Sequence, residues 1–158
     1  MGLISFVKGA GEKLLDKVTG KEKEKLNAKE SVEVASHLTK VVNTMGFEVQ
    51  GLDIRFDAES DTATVAGKTD SQEAREKIVL LVGNTQGVAQ VDDRLTVETP
   101  APKATFYTVV SGDTLGKIAK AHYGNAMKYP VIFEANKPML SDPDKIYPGQ
   151  VLRIPAID

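Results

Sequence analysis

Apolar residues along this chain keep two rhythms, one repeating every three to four positions and one every two. The switches between them mark the elements. From Leu26 to Met45, the positions Ala28, Val32, Ala35, Leu38, Val42 and Met45 recur at helical spacing, and Gly46 supplies a stop. Leu52, Ile54 and Phe56 then alternate with Asp53, Arg55 and Asp57, as in a strand with one buried face. Ala58-Glu59-Ser60-Asp61 turns the chain, and residues 62–67 return with Ala63 and Val65 inward. Asp70 or Ser71 can cap a helix over 72–82 whose core face is Ala74, Ile78 and Leu81. Gly83-Asn84-Thr85-Gln86-Gly87 stops that helix, and residues 88–97 form a third strand with Val91, Leu95 and Val97 on one face. The predicted order is αββαβ.

Before this unit, residues 2–18 read as a short amphipathic segment with Leu3, Phe6, Val7, Leu14, Leu15 and Val18 as its apolar points. Gly9 and Gly11 interrupt it, each weakening a helix by about 1 kcal/mol relative to alanine. Lys21-Glu22-Lys23-Glu24-Lys25 is a solvated charge run, a linker or an exposed first helical turn. After the unit, Thr99-Pro100-Ala101-Pro102-Lys103-Ala104 reads as a stiff Pro/Ala linker.

Composition narrows the chemistry. The 158 residues suit one medium domain or two small ones, with 41% hydrophobic and 27% charged content ordinary for a soluble globular protein. There is no cysteine, which excludes disulfides and thiolate metal sites, and two histidines make a poor basis for an imidazole cluster. The net charge of −2 is split: residues 1–98 carry 13 basic against 17 acidic groups, residues 99–158 carry 7 against 5. Neither half is basic enough for a nucleic-acid footprint. His37 and His122 fall in different units, and Asp92 and Asp93 alternate across a strand. No nucleophile pattern accompanies them, so an enzyme is not expected. The N-terminal apolar run is short and has no basic residue ahead of it, unlike a secretory signal. Phe6 breaks the myristoylation pattern, and no segment reaches transmembrane length. The expected protein is a cytoplasmic monomer without membrane insertion.

Specific motifs say more. Tyr107-Thr108-Val109-Val110-Ser111-Gly112-Asp113-Thr114-Leu115 opens the C-terminal part, and Ile146-Tyr147-Pro148-Gly149-Gln150-Val151-Leu152-Arg153-Ile154-Pro155 closes it. Tyr123-Gly124 and Glu134-Ala135-Asn136 lie between them as helix ends. This stretch resembles the LysM module, a βααβ unit that usually binds N-acetylglucosamine-containing glycans such as peptidoglycan. The ending Gly87-Val88-Ala89-Gln90-Val91-Asp92-Asp93-Arg94-Leu95-Thr96-Val97 resembles that of a BON domain. Together they imply an α+β protein. An N-terminal segment (1–25) packs on a BON domain (26–98) with its helices on one face of a small sheet. A Pro/Ala linker (99–105) leads to a LysM domain (106–158).

The pairing is similar to the small cytoplasmic potassium-binding proteins of the bacterial Kbp family. The match is densest at Phe6-Val7-Lys8, Ala10–Leu14, Ser71–Ala74, Val82-Gly83-Asn84, Val91-Asp92-Asp93 and residues 132–140 and 142–155, and thinnest over 41–62. It implies a K+ sensor or buffer that compacts its two domains on binding. The ion would be held by the main-chain carbonyls of Val7, Lys8, Ala10, Gly83, Thr85 and Val88, with larger alkali cations as further ligands. Potassium is weakly polarising, and neutral carbonyls can replace its water shell. Helix ends bearing glycine suit the task, because their last carbonyls lack intrahelical partners and carry partial negative charge. Val7–Gly11 and Gly83–Val88 are two such places, though a glycine after a helix serves equally as a plain C-cap. In the competing reading, Gly112, Asp113, Thr114, Leu115, Met139 and Ile146 line a LysM glycan groove, and peptidoglycan or an unidentified protein is the partner. Asp113 or Thr114 also suits a helix cap, and Leu115 suits a core, which fold alone would explain.

Overall fold

The computed structural model of the protein describes residues 2–6, 20–85 and 87–156, the helical stretch 20–30 by its backbone alone. The first unit contains β1 (Gly2–Ser5), α1 (Gly20–Thr44), β2 (Gln50–Asp57), β3 (Thr62–Ser71), α2 (Gln72–Gly83) and β4 (Gln90–Thr99). The second contains β5 (Thr105–Thr108), α3 (Leu115–Tyr123), a 3-10 turn (Ala126–Lys128), α4 (Tyr129–Ala135) and β6 (Val151–Ile154).

The four strands of the first unit run in the order β1-β4-β3-β2. β2 and β3 form an antiparallel hairpin, with Ile54 opposite Val65 and Phe56 opposite Ala63. β3 and β4 lie parallel, and α2 makes the crossover between them. Ile54, Phe56, Ala63, Val65, Val91 and Leu95 are buried beneath the helices, whereas Asp53, Arg55 and Arg94 on alternate positions are exposed. This is the expected period-two pattern made solid.

The helices depart from expectation in instructive ways. α1 starts at Gly20, so of the two readings of the charge run 21–25 the first helical turn holds and the linker does not. Its core ridge is Val34, Leu38 and Val42, four residues apart. Val32, expected inside, is 68% exposed because the periodic set mixed two neighbouring stripes of the helix, and Met45, 39% exposed, lies just past its end. α2 is capped by Ser71, whose Oγ accepts from Ala74 N–H at 3.1 Å. From Ile78 to Gly83 every residue of α2 is buried. One face lies on the sheet and the other beneath the second unit, a setting that requires a helix apolar on all sides.

The largest correction concerns the N-terminus. Gly2–Ser5 is a strand, not part of a helical segment, and it pairs antiparallel with β4 through Leu3 opposite Asp92 and Ile4 opposite Val91. β4 would otherwise present an unpaired edge, and four residues are too few to repay helix nucleation. The rest of the expected amphipathic segment lies outside the described residues. β4 starts at Gln90, leaving Val88 and Ala89 in the preceding turn.

In the second unit, β5 and β6 pair antiparallel, with Tyr107 opposite Leu152. Val109, Leu115, Ile118, Ala119, Ile132, Leu140, Leu152 and Ile154 form its core. Thr114 caps α3 by accepting from Lys117 N–H at 3.1 Å, and Gly124 ends it at φ +75°.

Candidate functional site

The turn between α2 and β4 brings together the N-terminal strand, the first core and the second unit. Asn84 N–H donates to Leu80 O at 2.9 Å, Thr85 N–H to Val82 O at 3.2 Å, and Val88 N–H to Thr85 O at 3.2 Å. Thr85 Oγ1 donates back to Leu81 O at 2.9 Å. The exit is fixed by Ala89 N–H donating to Asp61 O at 2.8 Å.

Phe6 binds the N-terminal strand to this turn. Its N–H donates to Ala89 O at 2.8 Å, and its ring lies against the α-carbon of Gly83. A Cβ at position 83 would come within 2.1 Å of the ring, so glycine is required there by the neighbour rather than by φ. Of the six candidate carbonyls, Gly83, Thr85 and Val88 belong to this one turn. Val7, Lys8 and Ala10 lie outside the described residues. Among the described residues, no group of three or more His, Asp and Glu is placed to hold a metal ion. None of their helices is long and apolar enough to cross a membrane.

The opposite side of α2 faces the second unit through polar contacts absent from the sequence-based site. Arg153 Nη2 and Nε donate to Glu76 Oε1 at 2.9 and 3.2 Å, with both side chains over nine-tenths buried. Glu76 Oε2 accepts from Gln72 Nε2 at 3.1 Å and from Ala104 N–H, at the end of the linker, at 3.0 Å. At the other end of α2, Asn84 Nδ2 donates to Val151 O at 2.8 Å, and Val151 N–H donates to Asn84 Oδ1 at 2.7 Å. Asn84 Nδ2 also reaches Met139 Sδ at 3.2 Å. A cavity of about 220 Å³ opens along this seam, lined by Asn84, Thr85, Met139, Ser141, Tyr147 and Gln150 among others. A larger groove of about 800 Å³ runs between α1 and β2, away from the turn. Two signals for the seam were present in the chain: the unbroken apolar run 78–82 on α2, and Arg153 standing amid Val151, Leu152 and Ile154.

The candidate glycan residues are largely occupied by the fold. Asp113 Oδ2 accepts from Tyr107 OH at 2.7 Å and Val110 N–H at 2.9 Å. The Val110 N–H and the Tyr107 hydroxyl, helped by Lys117, hold the Asp113 carboxyl below its ordinary range. The same bond to Asp113 raises the Tyr107 phenol. Gly112 O accepts from Lys117 Nζ at 3.2 Å, Thr114 is the α3 cap, and Leu115 is buried. Ile146 packs on the second core, and Met139 packs on both cores at the seam.

Comparison with known proteins agrees with this division of the chain. A BON domain model matches residues 26–99 and a LysM domain model residues 107–155. The potassium binding protein Kbp of Escherichia coli O6:H1 is 53% identical over 156 residues, covering 98% of this chain and 99% of that protein. The chain belongs to the Kbp family. Partial likenesses also occur. An uncharacterized protein of Deinococcus radiodurans is 52% identical over 52 residues, covering 33% of this chain and 20% of that one. An esterase of Mycobacterium tuberculosis is 49% identical over 53 residues, 34% of this chain and 11% of its own. Stretches of that size report a shared module, not a shared activity.

Proposed function

We propose that this protein is a cytoplasmic potassium-ion binder acting as a K+ sensor or buffer. The ion is held by the main-chain carbonyls of Val7, Lys8, Ala10, Gly83, Thr85 and Val88, and its binding compacts the BON and LysM domains. The observation that supports the reading is Phe6, the residue before Val7 in sequence, whose ring meets Gly83 and whose N–H donates to Ala89 O. The potassium-binding relative, similar over nearly the whole chain, supports the choice of ion. The C-terminal end of α2 adds a partial negative charge to the turn, favouring a cation. Backbone ligands also suit a weakly hydrated monovalent ion that tolerates several neutral oxygens.

Calorimetric titration with KCl against NaCl tests the proposal. Saturable heat with KCl and much weaker heat with NaCl is the expected result; equal or absent heats would end it. The competing reading, LysM binding to peptidoglycan, is disfavoured by the internal commitments of Asp113, Thr114 and Leu115. Retention of the protein on purified peptidoglycan would restore it.

A further inference from the structure

We infer that Asn84 is a positioning residue that couples the turn of the candidate ion site to the LysM domain, by completing an open strand edge of that domain. The inference rests on the ion reading above and adds the contact through which the ion would act.

β6 has two edges. Its even-numbered residues face β5: Leu152 pairs with Tyr107, and Gln150 O accepts from Val109 N–H at 2.8 Å. Val151 and Arg153 turn their N–H and C=O groups to the other edge, where no strand pairs among the described residues. Two asparagine amides take its place. Asn136 of the LysM domain accepts from Arg153 N–H at 2.8 Å and donates to Arg153 O at 3.0 Å. Asn84 of the BON domain makes the same pair of bonds with Val151, at 2.7 and 2.8 Å. A primary amide carries one acceptor and one donor side by side, so it reproduces what a neighbouring strand would offer. Val151 is buried, and its side chain belongs to the core of the BON domain. At Val151 the LysM edge is thus finished by a residue of the other domain.

Asn84 is placed for coupling. Its main chain lies between Gly83 and Thr85, two of the candidate ligating residues, and its N–H caps α2 through Leu80 O. A rotation of the carbonyls on either side moves the Asn84 α-carbon and its amide together. Glu76–Arg153, by contrast, lies two turns back along α2 and is tied to the linker through Ala104. The seam therefore has a constant anchor near the tether and a second contact that depends on the turn. A ligand can shift docking only through a group whose contacts differ between states, and Asn84 is that group.

The test follows Gly83, Val88 and Val151 amides by NMR in the full chain during KCl titration, with hydrogen exchange measured at Val151. In the wild type, all three amides should titrate with one midpoint. In Asn84→Ala, Gly83 and Val88 should still titrate, with affinity lowered about five-fold or more, the lower end of usual coupling between sites. Val151 should no longer follow them, and its exchange should accelerate about ten-fold. Asn84→Asp keeps the acceptor for Val151 N–H but sets a carboxylate against Val151 O, so it should lie between. Glu76→Gln, which weakens the constant anchor, should leave one common midpoint. Val151 tracking Val88 in Asn84→Ala with unchanged midpoint and exchange would overturn the coupling. If Gly83 and Val88 ignore KCl in the wild type, the ion reading falls. Coupling to the ion falls with it, and unchanged Val151 exchange in Asn84→Ala would remove the edge-completing role as well.

Discussion

Asn84 and Asn136 offer a comparison within one strand: the same side chain, the same pair of bonds and the same edge of β6, two residues apart. Asn136 is buried in its own domain and also donates to Ile132 O at 2.7 Å, joining α4 to the sheet. Asn84 is half-buried and reaches across a domain boundary. A bond inside a core forms with the fold and is lost only with it. The identical bond across a seam can open while both domains stay folded, because water can replace the partner. Chemistry makes the two contacts alike, and location makes one structural and the other adjustable.

The comparison is broken most severely at Asn136. Asn136→Ala strands the N–H and C=O of Arg153 in a dry core, at about 3 kcal/mol for the groups left unpaired. Thermal unfolding should show the LysM domain destabilised, while Asn84→Ala should cost about 1 kcal/mol and leave both domains folded. Equal losses in the two variants would erase the distinction.

Gly83→Ala probes the turn from the other side. Alanine favours a helix by about 1 kcal/mol over glycine, but its methyl would occupy the place of the Phe6 ring. Releasing a buried phenylalanine forfeits about 1.5–3 kcal/mol, so the clash should win. We expect β1 to detach from β4, seen as faster exchange at the Phe6 amide, and the KCl heat to shrink several-fold. Phe6→Ala combined with Gly83→Ala should recover turn stability but not the ion heat.

The smallest expected effect lies in the Tyr107–Asp113 loop, where Asp113 is bonded to Tyr107 and Val110 of its own domain. Asp113 has its carboxyl held below its ordinary range when folded, so its contribution is complete above the unfolded value and fades as pH falls through the folded one. Tyr107 is the alkaline counterpart: raised in the fold, it contributes fully below its unfolded value and loses that contribution as pH climbs through the folded one. Asp113→Asn should flatten the acid limb of LysM stability while leaving the Val151 response to KCl unchanged. A change in that response would tie the loop to the seam.

How much of this was legible depended on the range of the interactions. The β2–β3 hairpin could be read because Ile54, Phe56, Ala63 and Val65 alternate toward one buried face. The stops at Gly46 and Gly124 are residues with φ of +86° and +75°, which glycine adopts without cost. The candidate ion site was visible as a glycine-bearing helix end and by family likeness alone, because a carbonyl ligand can come from any residue type. β1 was misread because a four-residue strand is stabilised by the edge it joins, not by its own pattern. The seam was missed because Glu76 and Arg153 are 77 positions apart, and nothing local to either names the other as its partner.

By itself, the chain's order of residues determined two modules, their strands apart from β1, their helix ends, and the family to which they belong. The strands and helix ends follow from local periodicity and turn chemistry, which act over a few neighbouring residues, and the family from the likeness of its motifs to known ones. Only the tertiary structure decided that α2 is covered on both sides, that Phe6 rests on Gly83, and that an asparagine from one domain finishes a strand of the other. Such contacts exist only after chain segments far apart in sequence have met, and no local pattern records whom a residue will face.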